Sequence, residues 1–110
     1  MRQALIAGAA RAGIDVIVGG TYGATQGPRL ESAAEIDRME RDGCDMVGLT
    51  GMPEVALARE IDLCYAACAV CANHAAGRGE GTIDMAQIES VLKDSMVQVR
   101  SLLEHTINPG

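Results

Sequence analysis

The sequence predicts an α/β fold of three layers, with a largely parallel central sheet covered by helices on both faces. Three observations lead there. Apolar runs rich in β-branched residues alternate along the chain with stretches of helical period. The apolar runs are near-continuous rather than alternating in polarity, as in strands buried on both faces. Glycine and proline punctuate the joins, at Gly13, Gly27-Pro28, Gly43 and Gly51-Met52-Pro53. The predicted order is α-β-α-β-α-β-α over 110 residues, enough for one small domain.

Residues 2–12 are Ala-rich and helix-prone, with Leu5, Ile6 and Ala9 on one face and Gly13 as the stop. Residues 15–22, with Val16, Ile17 and Val18 followed by a Gly pair at which a bulge is expected, read as a strand. After Gly27-Pro28 the period of Ala33, Ile36, Met39 and Glu40 predicts a helix over 31–42, with Asp37, Arg38, Arg41 and Asp42 outward and Gly43 ending it. Residues 45–50 read as a second strand. Pro53 fits the first position of a short helix over 54–60, which offers Val55, Ala56 and Leu57 for packing. Residues 63–72 read as a third strand and 73–82 as a Gly-rich loop. Asp84, with Gln87 three residues on, opens a long helix in a pattern like a capping box. Its apolar stripe is Ile88, Val91, Leu92, Met96, Val99, Leu102 and Leu103, and His105 is expected to be solvated in its last turn. Three strands make a poor sheet by themselves, so the chain reads as the C-terminal part of something larger.

Composition narrows the function classes. Net charge is −6, which argues against nucleic acid or an anionic membrane as partner. Aromatics are limited to Tyr22 and Tyr65, so platforms for stacking nucleic-acid bases are nearly lacking and the core must be aliphatic. No apolar run reaches the length of a membrane span. Arg11 and Asp15 interrupt the first apolar run, which does not read as a signal peptide; the expected compartment is cytoplasmic.

Cys64-x3-Cys68-x2-Cys71 has the spacing of the iron–sulfur site in radical enzymes that use S-adenosylmethionine. Such a site needs three thiolates converging from a flexible loop. On a strand, Cys64 and Cys68 face one way and Cys71 the other, and the chain is too short for the barrel of those enzymes. The favoured reading is that the cysteines are small buried hydrophobes, with no metal site and no disulfide framework.

The chemistry concentrates around Glu31. Gly27-Pro28 makes a sharp turn between the end of a strand and the start of a helix, and Glu31 sits at the handover. A carboxylate there is aimed outside the carboxyl end of the sheet, where open α/β folds bind ligands. The alternative is a solvated Glu favoured by the helix dipole.

Three segments together resemble the C-terminal portion of the trimeric purine nucleoside phosphorylase family: Gln26-Gly27-Pro28-Arg29-Leu30-Glu31, Asp45-Met46-Val47-Gly48-Leu49-Thr50-Gly51-Met52-Pro53-Glu54, and Cys71-Ala72-Asn73. Their order, their separation and the last helix match over nearly the whole chain. Within the family the resemblance is to the branch acting on S-methyl-5′-thioinosine, related to 5′-methylthioadenosine phosphorylases. It implies a phosphorylase/hydrolase-like fold, a homotrimer, and cleavage of a purine nucleoside by inorganic phosphate as co-substrate, with no cofactor.

By this resemblance Asn73 and Glu31 are the catalytic residues. Asn73 donates to purine O6 and accepts from a protonated N7, while Glu31 accepts from N1–H; the pair favours 6-oxopurines over adenine. Asn73 alone also reads as a loop-start residue making a local turn. Leu30 replaces an aromatic that packs on the purine, and Leu49 lies beneath the ribose. His74 and Ala75 stand beside Asn73 among the substrate-binding residues. Thr50 matches a phosphate-contacting hydroxyl. Met85 falls near the 5′ substituent, where an apolar side chain suits a methylthio group; it reads equally as a first-turn packing residue. The family's phosphate loop and Arg-His clamp belong to an N-terminal part without counterpart in these residues, so an incomplete subunit, inactive by itself, is expected. The alternative is a truncated, non-catalytic subunit that binds purine or associates with full-length partners.

Overall fold

A computed structural model describes residues 1–108 and 110. Among them are four helices and two strands: α1 (Arg2–Ala12), β1 (Tyr22–Ala24), α2 (Ala33–Arg41), β2 (Met46–Gly48), α3 (Glu54–Glu60) and α4 (Met85–Ile107). They fall into two compact units. One comprises Met1–Val18, Cys64–Ala72 and Met85–Gly110, the other Gly19–Leu63 and Asn73–Asp84.

The first unit is built on α1 against α4. α1 ends at Gly13 in the left-handed conformation, as its sequence predicts. Gly8 is buried and permits the close approach: a Cβ there would run into Thr106 Oγ1 and lie 2.9 Å from the Leu102 carbonyl oxygen. Arg11 donates through Nε and Nη2 to the His105 carbonyl at 3.0 and 2.6 Å. That carbonyl is one of the last four of α4, which no helical amide can reach. Ala9 and Leu102 are the buried apolar residues of this unit.

The second unit contains the sheet. β1 and β2 pair in parallel, with Tyr22 opposite Met46, Gly23 opposite Val47 and Ala24 opposite Gly48. The intervening α2 is the crossover that parallel neighbours require. It starts at Ala33 because Ser32 caps it. The Ser32 hydroxyl accepts from the Glu35 amide, and the Glu35 carboxylate accepts from the Ser32 amide. Ile36 and Met39 of α2 and Ala58 of α3 are buried.

The architecture is thus mixed α/β with a small parallel sheet, and it corrects several expectations. Of the strand expected over 15–22 only Tyr22 belongs to β1, which runs on to Ala24, and the strand expected over 45–50 is formed only from Met46 to Gly48. The third strand, over 63–72, is not formed: among the described residues 64–72 make no backbone hydrogen bond. An apolar run signals that a segment can be buried, but a strand exists only where a neighbour supplies ladder partners. The cysteines are corrected with it. Cys64, Cys68 and Cys71 are exposed and Cys44 is half-buried, so three of the four are not core residues. Of the packing set expected in α3, Val55 is half-buried while Ala56 and Leu57 are exposed, and the buried residue is Ala58. His105 is half-buried rather than solvated, with Nδ1 2.8 Å from the Ser101 carbonyl.

Candidate active site

The carboxyl ends of β1 and β2 carry the sequence-predicted residues Leu30, Glu31, Leu49 and Thr50. β1 runs on into Thr25, whose amide donates to the Gly48 carbonyl at 2.9 Å. The Thr25 hydroxyl lies 2.6 Å from Glu31 Oε1, to which it donates. Glu31 is half-buried, and its Oε2 has no hydrogen-bond partner among the described residues. The carboxylate is thus tethered at the strand end rather than free in solvent. Gly27, in the turn, packs its backbone over Leu49: a Cβ there would stand 3.2 Å from Leu49 Cδ1.

The turn that carries Leu30 and Glu31 is held from its far side. Arg29 grips Glu35 as a fork, with Nη1 and Nη2 each donating at 2.8 Å. Arg29, then the Ser32 amide and hydroxyl, hold the Glu35 carboxyl well below the usual carboxylate range, at about 2. Leu30 is exposed.

Thr50 is placed by Tyr22. The Thr50 amide donates to the Tyr22 hydroxyl at 3.3 Å, and a Cβ on Gly51 would lie 2.7 Å from Tyr22 Cε1. Gly48 and Gly51 therefore clear the space in which the ring sits under the turn. The Thr50 side chain is exposed, with no hydrogen-bond partner among the described residues.

Asn73, His74 and Ala75 lie on the loop before α4, in the same unit as Glu31. Asn73 is exposed and donates from Nδ2 to the His74 carbonyl at 2.7 Å, a local bond. One amide hydrogen and the side-chain oxygen of Asn73 stay uncommitted among the described residues. The His74 ring lies against Gly79. The loop is docked on α2: Arg78 reaches Asp37 at 3.0 Å and also pairs with Glu40. Gly77 meets Ala33, two residues after Glu31. Met85 is placed differently. It belongs to the other unit, at the start of α4, and is exposed.

Among the described residues no three His, Cys, Asp or Glu side chains are grouped as metal ligands would be. Sequence reading did not single out Thr25, Tyr22, Arg78 or the Ser32–Glu35 box as supports of the site. The Ser-x-x-Glu spacing carries the signal for the last of these. The other three act through partners 6 to 41 positions away along the chain, from Thr25–Glu31 to Arg78–Asp37, which no local pattern reports.

The family model of the phosphorylase superfamily matches residues 1–108. The chain belongs to the phosphorylase superfamily. Relatives within reach carry the following names. A probable S-methyl-5′-thioinosine phosphorylase of Pseudomonas syringae pv. tomato is 50% identical over 108 residues, covering 98% of this chain and 44% of the relative. One from Xanthomonas campestris pv. campestris is 59% identical over 90 residues, covering 81% of this chain and 36% of the relative. A probable 6-oxopurine nucleoside phosphorylase of Moorella thermoacetica is 39% identical over 108 residues, covering 98% and 41% respectively. The chain therefore spans less than half the length of these superfamily relatives.

Proposed function

We propose that these residues are the C-terminal part of a single purine nucleoside phosphorylase domain. Its complete form is a three-layer α/β fold, acting as a cytoplasmic homotrimer on a 6-oxopurine nucleoside, S-methyl-5′-thioinosine foremost. No cofactor takes part, inorganic phosphate is the co-substrate, and no nucleic acid or membrane is a partner. Among the described residues no helix is long and apolar enough to cross a membrane.

One observation carries the base-binding half of this reading. Glu31 is tethered through one oxygen at the carboxyl end of a parallel strand pair, with its other oxygen uncommitted. In phosphorolysis a phosphate oxygen forms the bond to C1′ as the bond from C1′ to purine N9 breaks. The bonding pair leaves on the purine, and N7 takes a proton from solvent water. Catalysis requires groups that hold the base better as that charge develops. Asn73 contributes an acceptor for N7–H and a donor for O6, and Glu31 accepts from N1–H. Its local bond to His74 leaves Asn73 both functions. Leu30, Leu49, His74 and Ala75 contact the substrate. Thr50 offers a hydroxyl to phosphate. A dianion calls for cationic donors as well, and Arg29 and Arg78 are both engaged by carboxylates. Phosphate binding is therefore assigned mainly to a part of the protein outside these residues.

The test is phosphorolysis of methylthioinosine, inosine and methylthioadenosine by the 110-residue chain and by the same chain joined to the remainder of the domain. The expected outcome is preference for the two 6-oxopurines in the joined form and no turnover by the short chain. Equal rates on the adenine nucleoside would overturn the base assignment, and turnover by the short chain would overturn the assignment of phosphate binding.

A further inference from the structure

We propose that Thr25 is a positioning residue for Glu31, and that base choice depends on it. The Thr25 hydroxyl has one proton and two acceptors near it: Glu31 Oε1 at 2.6 Å and the Gly48 carbonyl at 3.4 Å. The carbonyl already receives the Thr25 amide at 2.9 Å. The shorter contact, to a charged acceptor, takes the proton. Thr25 itself has little freedom, because its backbone extends the β1–β2 ladder and its branched side chain is stiff about χ1. A free Glu side chain spreads over many rotamers, and fixing it on binding costs conformational entropy. The cation nearest in influence, Arg29, does not compete for Glu31, since both of its terminal nitrogens are on Glu35.

The consequence for recognition follows from donor and acceptor counting. With Oε1 occupied, the carboxylate presents Oε2, an acceptor only. A ring N–H satisfies it, whereas an unprotonated ring nitrogen sets one lone pair against another. This part rests on the 6-oxopurine reading of the site; the tethering itself does not.

The experiment uses the 110-residue chain with Thr25→Val, which removes the hydroxyl at nearly constant shape, and Thr25→Ser, which restores it. Side-chain scalar couplings of Glu31 are measured by NMR. A single rotamer is expected in the wild type and in Thr25→Ser, and averaged couplings in Thr25→Val. Averaging in the wild type, or a single rotamer in Thr25→Val, overturns the tether whatever any ligand does. Hypoxanthine and adenine binding are then compared by calorimetry. The preference for hypoxanthine should fall roughly five- to tenfold in Thr25→Val and recover in Thr25→Ser. A wild type without that preference refutes the 6-oxopurine reading and, with it, the dependence of base choice on Thr25, while the couplings still decide the tether. A Thr25→Val chain that keeps the full preference refutes the role in base choice alone.

Discussion

Residues 21–50 and residues 63–72 both include apolar runs that read as strand in the sequence, and they end up in opposite conditions. The first stretch holds itself together. Its two strands pair with each other, Thr25 holds Glu31, Ser32 and Glu35 cap each other, and Arg29 closes the turn. The second makes no backbone hydrogen bond from 64 to 72 among the described residues, and it leaves Tyr65 and its three cysteines exposed. The difference teaches that apolar character is a demand for partners, and that a segment is ordered by whichever partners lie within its own reach. The candidate site stands on the self-sufficient stretch.

The largest expected effect tests that self-sufficiency. Ile36→Ala removes a buried side chain from the crossover helix and should cost about 2–5 kcal/mol, read as a lower urea midpoint. The same truncation at Ile17, which is 97% exposed, should cost less than about 0.5 kcal/mol and hardly move the midpoint. Equal costs would erase the contrast between the two kinds of apolar segment.

Next comes the functional side of the comparison. In the domain joined to its remainder, Glu31→Ala should lower kcat/KM on inosine or methylthioinosine roughly ten- to a hundredfold, the value of one charged hydrogen bond, and far less on methylthioadenosine. Asn73→Asp combined with Glu31→Ser should move preference toward 6-aminopurines, and not additively, since both act on one ring. Equal losses on both bases would make Glu31 a structural residue.

A pH titration sharpens the role of the Arg29 turn. The Glu35 carboxyl is depressed from 4.5 to about 2, so its contribution is complete above the unfolded value and is lost as pH falls through the folded one. NMR should show the Glu35 carboxyl titrating near 2 and the start of α2 loosening between 4.5 and about 2. A midpoint near 4.5 in the folded chain would remove Arg29 from the account.

The smallest effect is at Arg78. Its pairs with Asp37 and Glu40 are largely exposed, and such pairs contribute little to stability and weaken with salt. Arg78→Gln should speed hydrogen exchange in residues 74–82 up to about fivefold at low salt, and hardly at all at 1 M salt. Unchanged exchange at low salt would show the loop held by Gly77 on Ala33 instead.

What the sequence made legible follows the same division. Helices were legible because period and caps are local: α1 stops at Gly13, and α4 begins directly after Asp84. The place of Glu31 at a strand end was legible from Gly27-Pro28. The extent of the strands was not, because ladder partners lie elsewhere in the chain. Nor were Thr25, Tyr22 and Arg78, whose roles exist only once distant residues meet. Ser32-x-x-Glu35 was legible in principle, and it corrects the start of α2 from 31 to Ala33.

The contact between Arg11 and the His105 carbonyl joins positions 94 apart in sequence. On a ribosome adding residues one by one, α1 emerges long before its partner exists. The second unit, by contrast, has all its strands and the crossover helix by Gly48. The order of synthesis therefore assembles the turn that bears Glu31 early and leaves α1 waiting with Gly8 and Ala9 uncovered until α4 is released. A translational pause after residue 84 would lengthen that wait, and with it the time for which α1 is open to chaperones that bind exposed apolar helices.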